Sequence, residues 1–284
     1  MAEKLSINRS GIFYTILFRG HIFIALMAVL DTIFFQKLYT GQLNYYYLAV
    51  VACGTLAIYN VHYLLALFKP SSAFILYFFI LTQFIFSLFI YYFSFLFARL
   101  GIDFFVLWSI ITASMVYMMA DFSALNVFKL PWIKPILLTI VWFGATAIMP
   151  AYEQQLSASH QALLLHYFLL LFAICVVFDN KDLAADRAKG IATISNKLGF
   201  DMTRRLGLIL VLFSLFPLCL VLPPTFVLTF STISLLAAVL IYKLRPDIHV
   251  IYYTMLLDGV LGLLGLSGFL LLEFGYLPPG IKFL

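Results

Sequence analysis

Long apolar segments recur along the chain and are separated by short polar connections. Each segment has about the 20 residues that an α-helix needs to cross the hydrocarbon core of a bilayer. Apolar runs of this length predict transmembrane helices rather than strands. Very short connections, such as Lys69-Pro70 and Pro223-Pro224, predict antiparallel neighbours in one bundle. The pattern predicts nine spans, at residues 21–39, 45–68, 72–98, 104–120, 135–149, 162–178, 206–222, 226–242 and 250–272.

The composition excludes a water-soluble globular protein, a disordered chain and a disulfide scaffold. Of the 284 residues, 64% are hydrophobic and 10% are charged, and the mean hydropathy is +1.08. Soluble domains are about 45–50% apolar and about 25% charged. Nine helices with short connections use nearly the whole chain. We therefore expect a single all-α transmembrane domain over residues 1–284.

Basic residues sort to one side of the predicted spans. With the N-terminus in the cytoplasm, 14 of the 17 Lys and Arg residues fall in cytoplasmic parts, which leaves Lys37, Arg99 and Lys282 outside. Cytoplasmic loops of membrane proteins carry such an excess. We therefore expect a multi-pass protein of the inner or plasma membrane. In a membrane protein, the net charge of +5 is not a sign of nucleic-acid binding, so the expected partner is the lipid bilayer and not a nucleic acid.

One predicted cytoplasmic loop concentrates acidic residues. Asp179, Asp182 and Asp186 are separated by three and four positions, which places them on one face of a helix. Carboxylate oxygens suit Mg²⁺, which binds one or two carboxylates together with substrate phosphates. Cations suited to phosphate oxygens lie beside them, at Lys181, Arg187 and Lys189. The alternative is a solvated loop whose charges pair with one another.

The same loop has the order of a known motif. Its key positions are Asp179-Asn180, Asp182, Asp186-Arg187, Gly190, Thr193 and Leu198-Gly199. This order and spacing resemble the second aspartate-rich motif of the UbiA superfamily of intramembrane prenyltransferases, closest to its naphthoate prenyltransferases. The resemblance extends to the position of the motif, after the sixth of nine predicted helices.

The resemblance implies a fold, a reaction and residue roles. The implied fold is an all-helical bundle around a central cavity open toward lipid. The implied reaction is transfer of a prenyl group, with Mg²⁺, from a prenyl diphosphate to an unidentified aromatic or lipid acceptor. Asp182 and Asp186 would be catalytic, and together with Asp179 they would bind Mg²⁺. The implied substrate-binding residues are Asn60, Lys134, Lys181, Arg187 and Lys189.

The end of the second predicted span departs from the first aspartate-rich motif of that family. Asn60 fits its first position, but Leu64 and Phe68 stand where the family has acids. No Asp or Glu lies between Asp31 and Asp103. We therefore keep the alternative of a catalytically degenerate relative, which binds prenyl lipid or acts as a membrane scaffold.

Four further polar residues have open interpretations. Either Lys134 or Lys129 is the basic residue that the resemblance implies before the fifth helix, or both are interfacial anchors. Asp121 is either a replacement acid or a residue that flanks a helix end. Asp258 lies about eight residues inside the last predicted span, so it should face the bundle interior or a wet cavity. It serves either structural hydrogen bonding or a function, for which a small transporter is a third hypothesis.

Overall fold

The structure, a computed structural model, describes residues 21–68, 81, 85, 104–120, 130–152, 154–189 and 192–276. For residues 63–68, 104, 119, 120, 185 and 189 it describes the backbone without the side chain. Every regular element within these ranges is a helix, which confirms the predicted all-α class.

The helices are numbered here in chain order. They are α1 (Ile22–Thr40), α2 (Tyr45–Phe68), α3 (Phe104–Ala120), α4 (Ile133–Ala151), α5 (Ala158–Phe178), α6 (Leu183–Lys189), α7 (Ile194–Leu198), α8 (Phe200–Val221), α9 (Pro224–Tyr242) and α10 (Tyr252–Glu273). A π-helical turn interrupts α4 at Gly144–Ile148, and another begins α10 at Tyr252–Leu257. A 3₁₀ turn at Asp179–Asp182 joins α5 to α6.

Six of the described helices are long and apolar enough to cross a membrane, namely α1, α4, α5, α8, α9 and α10. This confirms the prediction of an integral membrane protein. Helices α2 and α3 match the second and fourth predicted spans. The third predicted span, residues 72–98, lies outside the described residues except for Leu81 and Ile85. The count of nine therefore stays a prediction.

Two closely packed helix pairs organise the interior, α5 with α8 and α1 with α10. Helix α5 also packs against α4, and α9 joins α8 to α10. Helix α1 packs against α2 and against the π turn of α4. Fully buried aromatic side chains fill the space between these helices, including Phe34, Phe35, Tyr167, Phe226 and Phe230.

Glycines bring α10 into backbone contact with α1. A Cβ atom on Gly265 would lie 2.6 Å from the backbone nitrogen of Asp31 and 2.6 Å from the carbonyl oxygen of Leu30. A Cβ atom on Gly268 would lie 2.6 Å from the ring of Phe34. Small residues permit such close approach between membrane helices. The glycine face of α10 therefore fixes its distance from α1.

Charged residues lie at both ends of the described helices. At the first residues of α8, Arg204 donates hydrogen bonds to the carbonyl oxygens of Tyr242 and Leu244 at the end of α9. At the opposite end, Lys37 Nζ lies 2.7 Å from Glu273 Oε1. One end of the bundle contains Arg204, the start of α4 and the loop between α5 and α8. We call it the basic end.

Candidate functional site

The segment between α5 and α8 is held in shape by its own polar side chains. Asn180 accepts a hydrogen bond from Ser195 Oγ at 2.8 Å and donates one to the carbonyl oxygen of Phe200 at 3.4 Å. The side chain of Thr193 caps α7 by accepting from the amide of Asn196 at 3.2 Å. Asn180 and Thr193, two residues of the motif, therefore have structural roles.

Gly199, the last residue of the motif, precedes α8 with φ at +80°. Residues with a side chain rarely adopt this conformation, whereas glycine adopts it at little cost. The glycine is therefore required where the chain turns from α7 into α8.

Buried acids and lysines meet at the basic end. Asp179 is 5% exposed and Asp186 is 3% exposed. Lys134, in the first turn of α4, places its Nζ 3.8 Å from Asp186 Oδ2. Asp179 interacts electrostatically with Lys134, Lys181, Asp182 and Asp186. We call these five residues the acid–lysine cluster.

Asp182 is the more exposed acid of the cluster. Its side chain is 40% exposed and its Oδ2 pairs with Lys181 Nζ. Lys181 also lies 5.2 Å from the ring centroid of Phe178, a cation–π contact. Asp179 and Asp182 belong to the 3₁₀ turn, whereas Asp186 belongs to α6. The sequence predicted that the three acids lie on one face of a helix, whereas the structure divides them between a 3₁₀ turn and α6.

The other predicted binding residues have different surroundings. Asn60 Oδ1 lies 3.4 Å from His21 Nδ1, where the end of α2 meets the start of α1. Arg187 is exposed on α6. The side chain of Lys189, the last residue of α6, lies outside the described atoms. The same holds for the side chains of Leu64 and Phe68 and for all of Asp121 and Lys129.

The oxygen atoms of the cluster suit a hard divalent cation. Asp179 Oδ2 is buried and has no hydrogen-bond partner among the described residues. Such an atom is costly unless another group satisfies it. Within the described part of the chain, no three His, Cys, Asp or Glu residues form a metal-binding group by themselves. Mg²⁺ binds through one or two carboxylates when phosphates supply further oxygens, so Asp179, Asp182 and Asp186 fit it in that mode.

A largely apolar cavity of about 120 Å³ lies between α1, α2, α3 and α4. Tyr59 and His62 line it from α2, Tyr117 from α3, and Trp142 and Thr146 from α4. Trp142 Nε1 donates a hydrogen bond to Tyr59 Oη at 3.3 Å. The cavity therefore combines an apolar wall with a few polar atoms, which is typical of sites for small apolar molecules.

Asp258 lines a second, smaller cavity of about 40 Å³. The residue is 8% exposed and is the first residue after the π turn that begins α10. Tyr59 and Trp142 line this cavity as well as the larger one. Lys181 of the acid–lysine cluster lies within electrostatic range of Asp258. The prediction that Asp258 faces the bundle interior is therefore confirmed.

A second intramembrane acid, Asp31 in α1, was not among the predicted site residues. It is fully buried, and its Oδ2 accepts a hydrogen bond from Tyr167 Oη at 2.8 Å. Tyr167 Oη also lies 2.9 Å from Thr146 Oγ1, which donates to the carbonyl oxygen of Trp142. An isolated acid within the apolar segment 21–39 was the sequence signal that could have found this network.

Comparison of the chain with protein families, with curated proteins and with solved structures finds no match. Only the motif residues and the geometry of the acid–lysine cluster therefore indicate a function for the described residues.

Proposed function

We propose that the chain is an integral membrane prenyltransferase of the UbiA type, with nine helices around a central cavity. It transfers a prenyl group from a prenyl diphosphate to an aromatic or lipid acceptor. The observation that carries the proposal is the acid–lysine cluster, which brings the three motif acids, two of them buried, together with two lysines at one end of an apolar bundle. A diphosphate beside a bilayer needs such compensating charge. The proposal puts the basic end and the N-terminus in the cytoplasm.

The basic residues of the site bind and orient the diphosphate. Lys134 and Lys181 donate N–H groups to its oxygen atoms from inside the cluster. Arg187 and Lys189 do so from α6, nearer the water. Asn60 supplies an uncharged polar group from the end of α2. Ammonium and guanidinium donors form the strongest hydrogen bonds to phosphate oxygens.

The acidic residues of the site hold the divalent cation. Asp182 and Asp186 would be the principal Mg²⁺ ligands, and Asp179, with its buried Oδ2, would assist them. Bound Mg²⁺ would neutralise charge on the departing diphosphate. With Mg²⁺ held by Asp182 and Asp186, their lysine partners Lys181 and Lys134 would be available to the diphosphate.

Transfer breaks the bond between the prenyl C1 atom and the diphosphate oxygen, which keeps the electron pair. Lys134 and Lys181 stabilise the negative charge that develops on that oxygen. The acceptor forms the new bond with its own electron pair and releases a proton. The apolar cavity lined by Tyr59 and Trp142 accommodates the prenyl chain and excludes water from the allylic cation.

A second candidate function is that of a degenerate relative that binds prenyl lipid or acts as a membrane scaffold. The observation that favours it is the pairing within the cluster, Lys134 with Asp186 and Lys181 with Asp182. These pairs balance charge without a substrate. Positions Leu64 and Phe68 also lack the acids of the first motif.

Binding of farnesyl diphosphate to the purified full chain tests the proposal. We expect binding in the presence of Mg²⁺ and a loss of at least tenfold when EDTA removes the metal. The same loss is expected for the double variant Asp182→Asn/Asp186→Asn. The matched control is Asp201→Asn, because Asp201 is an exposed acid that pairs only on the surface with Arg204. It should bind like the wild type.

Release of pyrophosphate separates the two candidate functions. Membranes that contain the protein and the native lipids should release pyrophosphate from farnesyl diphosphate in an Asp182- and Asp186-dependent manner. Binding without release supports the degenerate relative. Binding that is indifferent to both Mg²⁺ and the two substitutions contradicts the prenyltransferase proposal.

A further inference from the structure

Three cationic side chains line one open pocket at the basic end. Arg204 comes from near the start of α8, Lys243 directly follows α9, and Arg245 lies two residues further along the chain. The pocket has a volume of about 660 Å³, within the range of about 300–1,000 Å³ that is typical of ligand pockets. Asp247 is the acid among its lining residues, so three cations face one carboxylate.

The segment that carries two of these cations is held firmly against the bundle. Arg204 donates hydrogen bonds to the carbonyl oxygens of Tyr242 and Leu244, at 3.4 and 3.0 Å. The side chain of Leu244 is fully buried, whereas Lys243 and Arg245 on either side of it are exposed. The buried leucine and the arginine therefore fix the segment, and both exposed cations line the same pocket.

The side chains of Lys243 and Arg245 form no ion pair and no hydrogen bond with any residue that the structure describes. Arg204, by contrast, pairs with Asp201 at 3.1 Å. Unpaired cations that line one pocket attract an anion into it. Ammonium and guanidinium groups are the donors that suit phosphate oxygens. The charge of the pocket therefore fits a phosphate group.

An apolar, exposed surface runs from this pocket along α9. Tyr242, which lines the pocket, is followed toward the start of the helix by Val239 and Leu235. The spacings of three and four residues place them on one helical face, and all three are exposed. Tyrosine is enriched where a membrane helix reaches the lipid headgroups. The face therefore suits acyl chains, with the pocket at headgroup level.

From these observations we propose that the pocket binds the headgroup phosphate of an anionic membrane phospholipid. Lys243 and Arg245 pair with the phosphate oxygen atoms, and the acyl chains lie along the exposed face of α9. Basic pockets between membrane helices bind anionic lipid headgroups in this way. A soluble phosphate would use the same cations but would leave the apolar face of α9 uncovered.

This inference is independent of prenyl transfer, because no residue of the acid–lysine cluster lines the pocket. Its failure leaves the proposed function untouched, and the reverse also holds.

Two lipids with the same acyl chains test the inference. The purified full chain in detergent is titrated with dioleoylphosphatidylglycerol, which is anionic, or with dioleoylphosphatidylcholine, which has no net charge. Native mass spectrometry measures the dissociation constant of the first bound lipid. We expect about a tenfold preference for phosphatidylglycerol, because each Lys or Arg beside an anionic headgroup contributes a factor of about five at most.

A pair of matched double variants assigns the preference to the pocket. Lys243→Gln/Arg245→Gln should lower the preference to about twofold or less, because the two unpaired cations are removed. The control Lys197→Gln/Arg205→Gln removes the same charge from two exposed residues of the basic end that do not line the pocket. It should keep the wild-type preference.

Glycerol 3-phosphate separates a lipid from a soluble phosphate as the occupant. It carries the phosphate without acyl chains, so a large excess of it should leave the binding of phosphatidylglycerol unchanged. Displacement of the lipid by glycerol 3-phosphate would make the pocket a site for a soluble phosphate and would overturn the proposed lipid.

The inference is also overturned if the wild type binds both lipids alike. The same holds if the two double variants lose the preference equally, since general charge at the basic end would then explain it. Circular dichroism verifies that each variant is folded. If Lys243→Gln/Arg245→Gln does not fold, the single variant Arg245→Gln decides, and an unchanged preference in it overturns the inference.

Discussion

At the scale of single residues, the three acids of the motif have different environments. Asp179 and Asp186 are buried, whereas Asp182 is partly exposed beside Lys181. Burial of a charge is costly unless an opposite charge or hydrogen bonds compensate it. Lys134 supplies that compensation to Asp186 from a helix distant in sequence. Asp179 and Asp186 are therefore not part of a solvated loop. The pairing of charges that this alternative predicted does occur, between Lys181 and Asp182.

Replacing Lys134 by methionine should destabilise the protein. The change leaves the buried carboxylate of Asp186 without this cation, and breaking a buried pair costs about 3–5 kcal/mol. Thermal unfolding in detergent measures the effect. Lys197→Met is the matched control, because Lys197 is exposed. Equal melting temperatures for the two variants would contradict the pairing, and Lys134→Met/Asp186→Leu should recover much of the loss.

Replacing Tyr167 by phenylalanine should also destabilise the protein. Both Tyr167 and Asp31 are fully buried, and the variant removes the donor to Asp31 Oδ2. An unsatisfied buried acid costs about 1–3 kcal/mol. Unfolding is compared with that of Tyr242→Phe, in which the same hydroxyl is lost from an exposed side chain. If both variants melt alike, the hydrogen bond does not stabilise the bundle.

At the scale of secondary structure, the two halves of α10 make different contacts. The half that begins with the π turn presents Asp258 to the small cavity, and π turns within helices are frequent at functional sites. The other half presents glycines to α1. The position of Asp258 thus depends on how closely Gly265 approaches the backbone of α1.

Gly265→Ala should lower the melting temperature, whereas Gly259→Ala should not. A Cβ atom on Gly265 would lie 2.6 Å from backbone atoms of α1, which cannot move aside like a side chain. Overpacking of this kind costs about 1–3 kcal/mol or more. A Cβ atom on Gly259 would lie 3.6 Å from the ring of Phe23, an ordinary contact, and alanine favours the helix. Similar melting temperatures for both variants would disprove the close packing at Gly265.

At the scale of the whole molecule, the described helices form an apolar bundle with one basic end. The Lys37–Glu273 pair lies at the other end. The acid–lysine cluster lies at the basic end, and under the proposed function a charged diphosphate would reach it from water while the prenyl chain stays in the bundle. From the positive-inside rule we expect the basic end to be cytoplasmic.

Cysteine labelling tests this orientation. Arg205→Cys lies at the basic end and Gln42→Cys lies in the exposed connection between α1 and α2. Both are made in a background without Cys53, Cys175 and Cys219. In right-side-out vesicles, an impermeant maleimide should label position 42 at once and position 205 only after the membrane is disrupted. The reverse order would contradict the proposed cytoplasmic side.

The sequence by itself determined the helical class, the membrane environment and eight of the helix positions that the structure describes. In a bilayer, a long apolar segment can satisfy its backbone hydrogen bonds only as a helix or in a closed barrel, so composition and length suffice. The sequence also located the acidic loop, since Asp179, Asp182 and Asp186 lie in one short segment.

Only the tertiary structure decided which of these polar groups meet. Tyr167 and Asp31 are 136 residues apart, and Lys134 reaches Asp186 from another helix. Asp258 and Tyr59 share a cavity although they come from α10 and α2. Helices that are apolar on all sides carry no sequence signal of the face that turns inward. Their rotation, and with it each polar contact, is fixed by packing against neighbours.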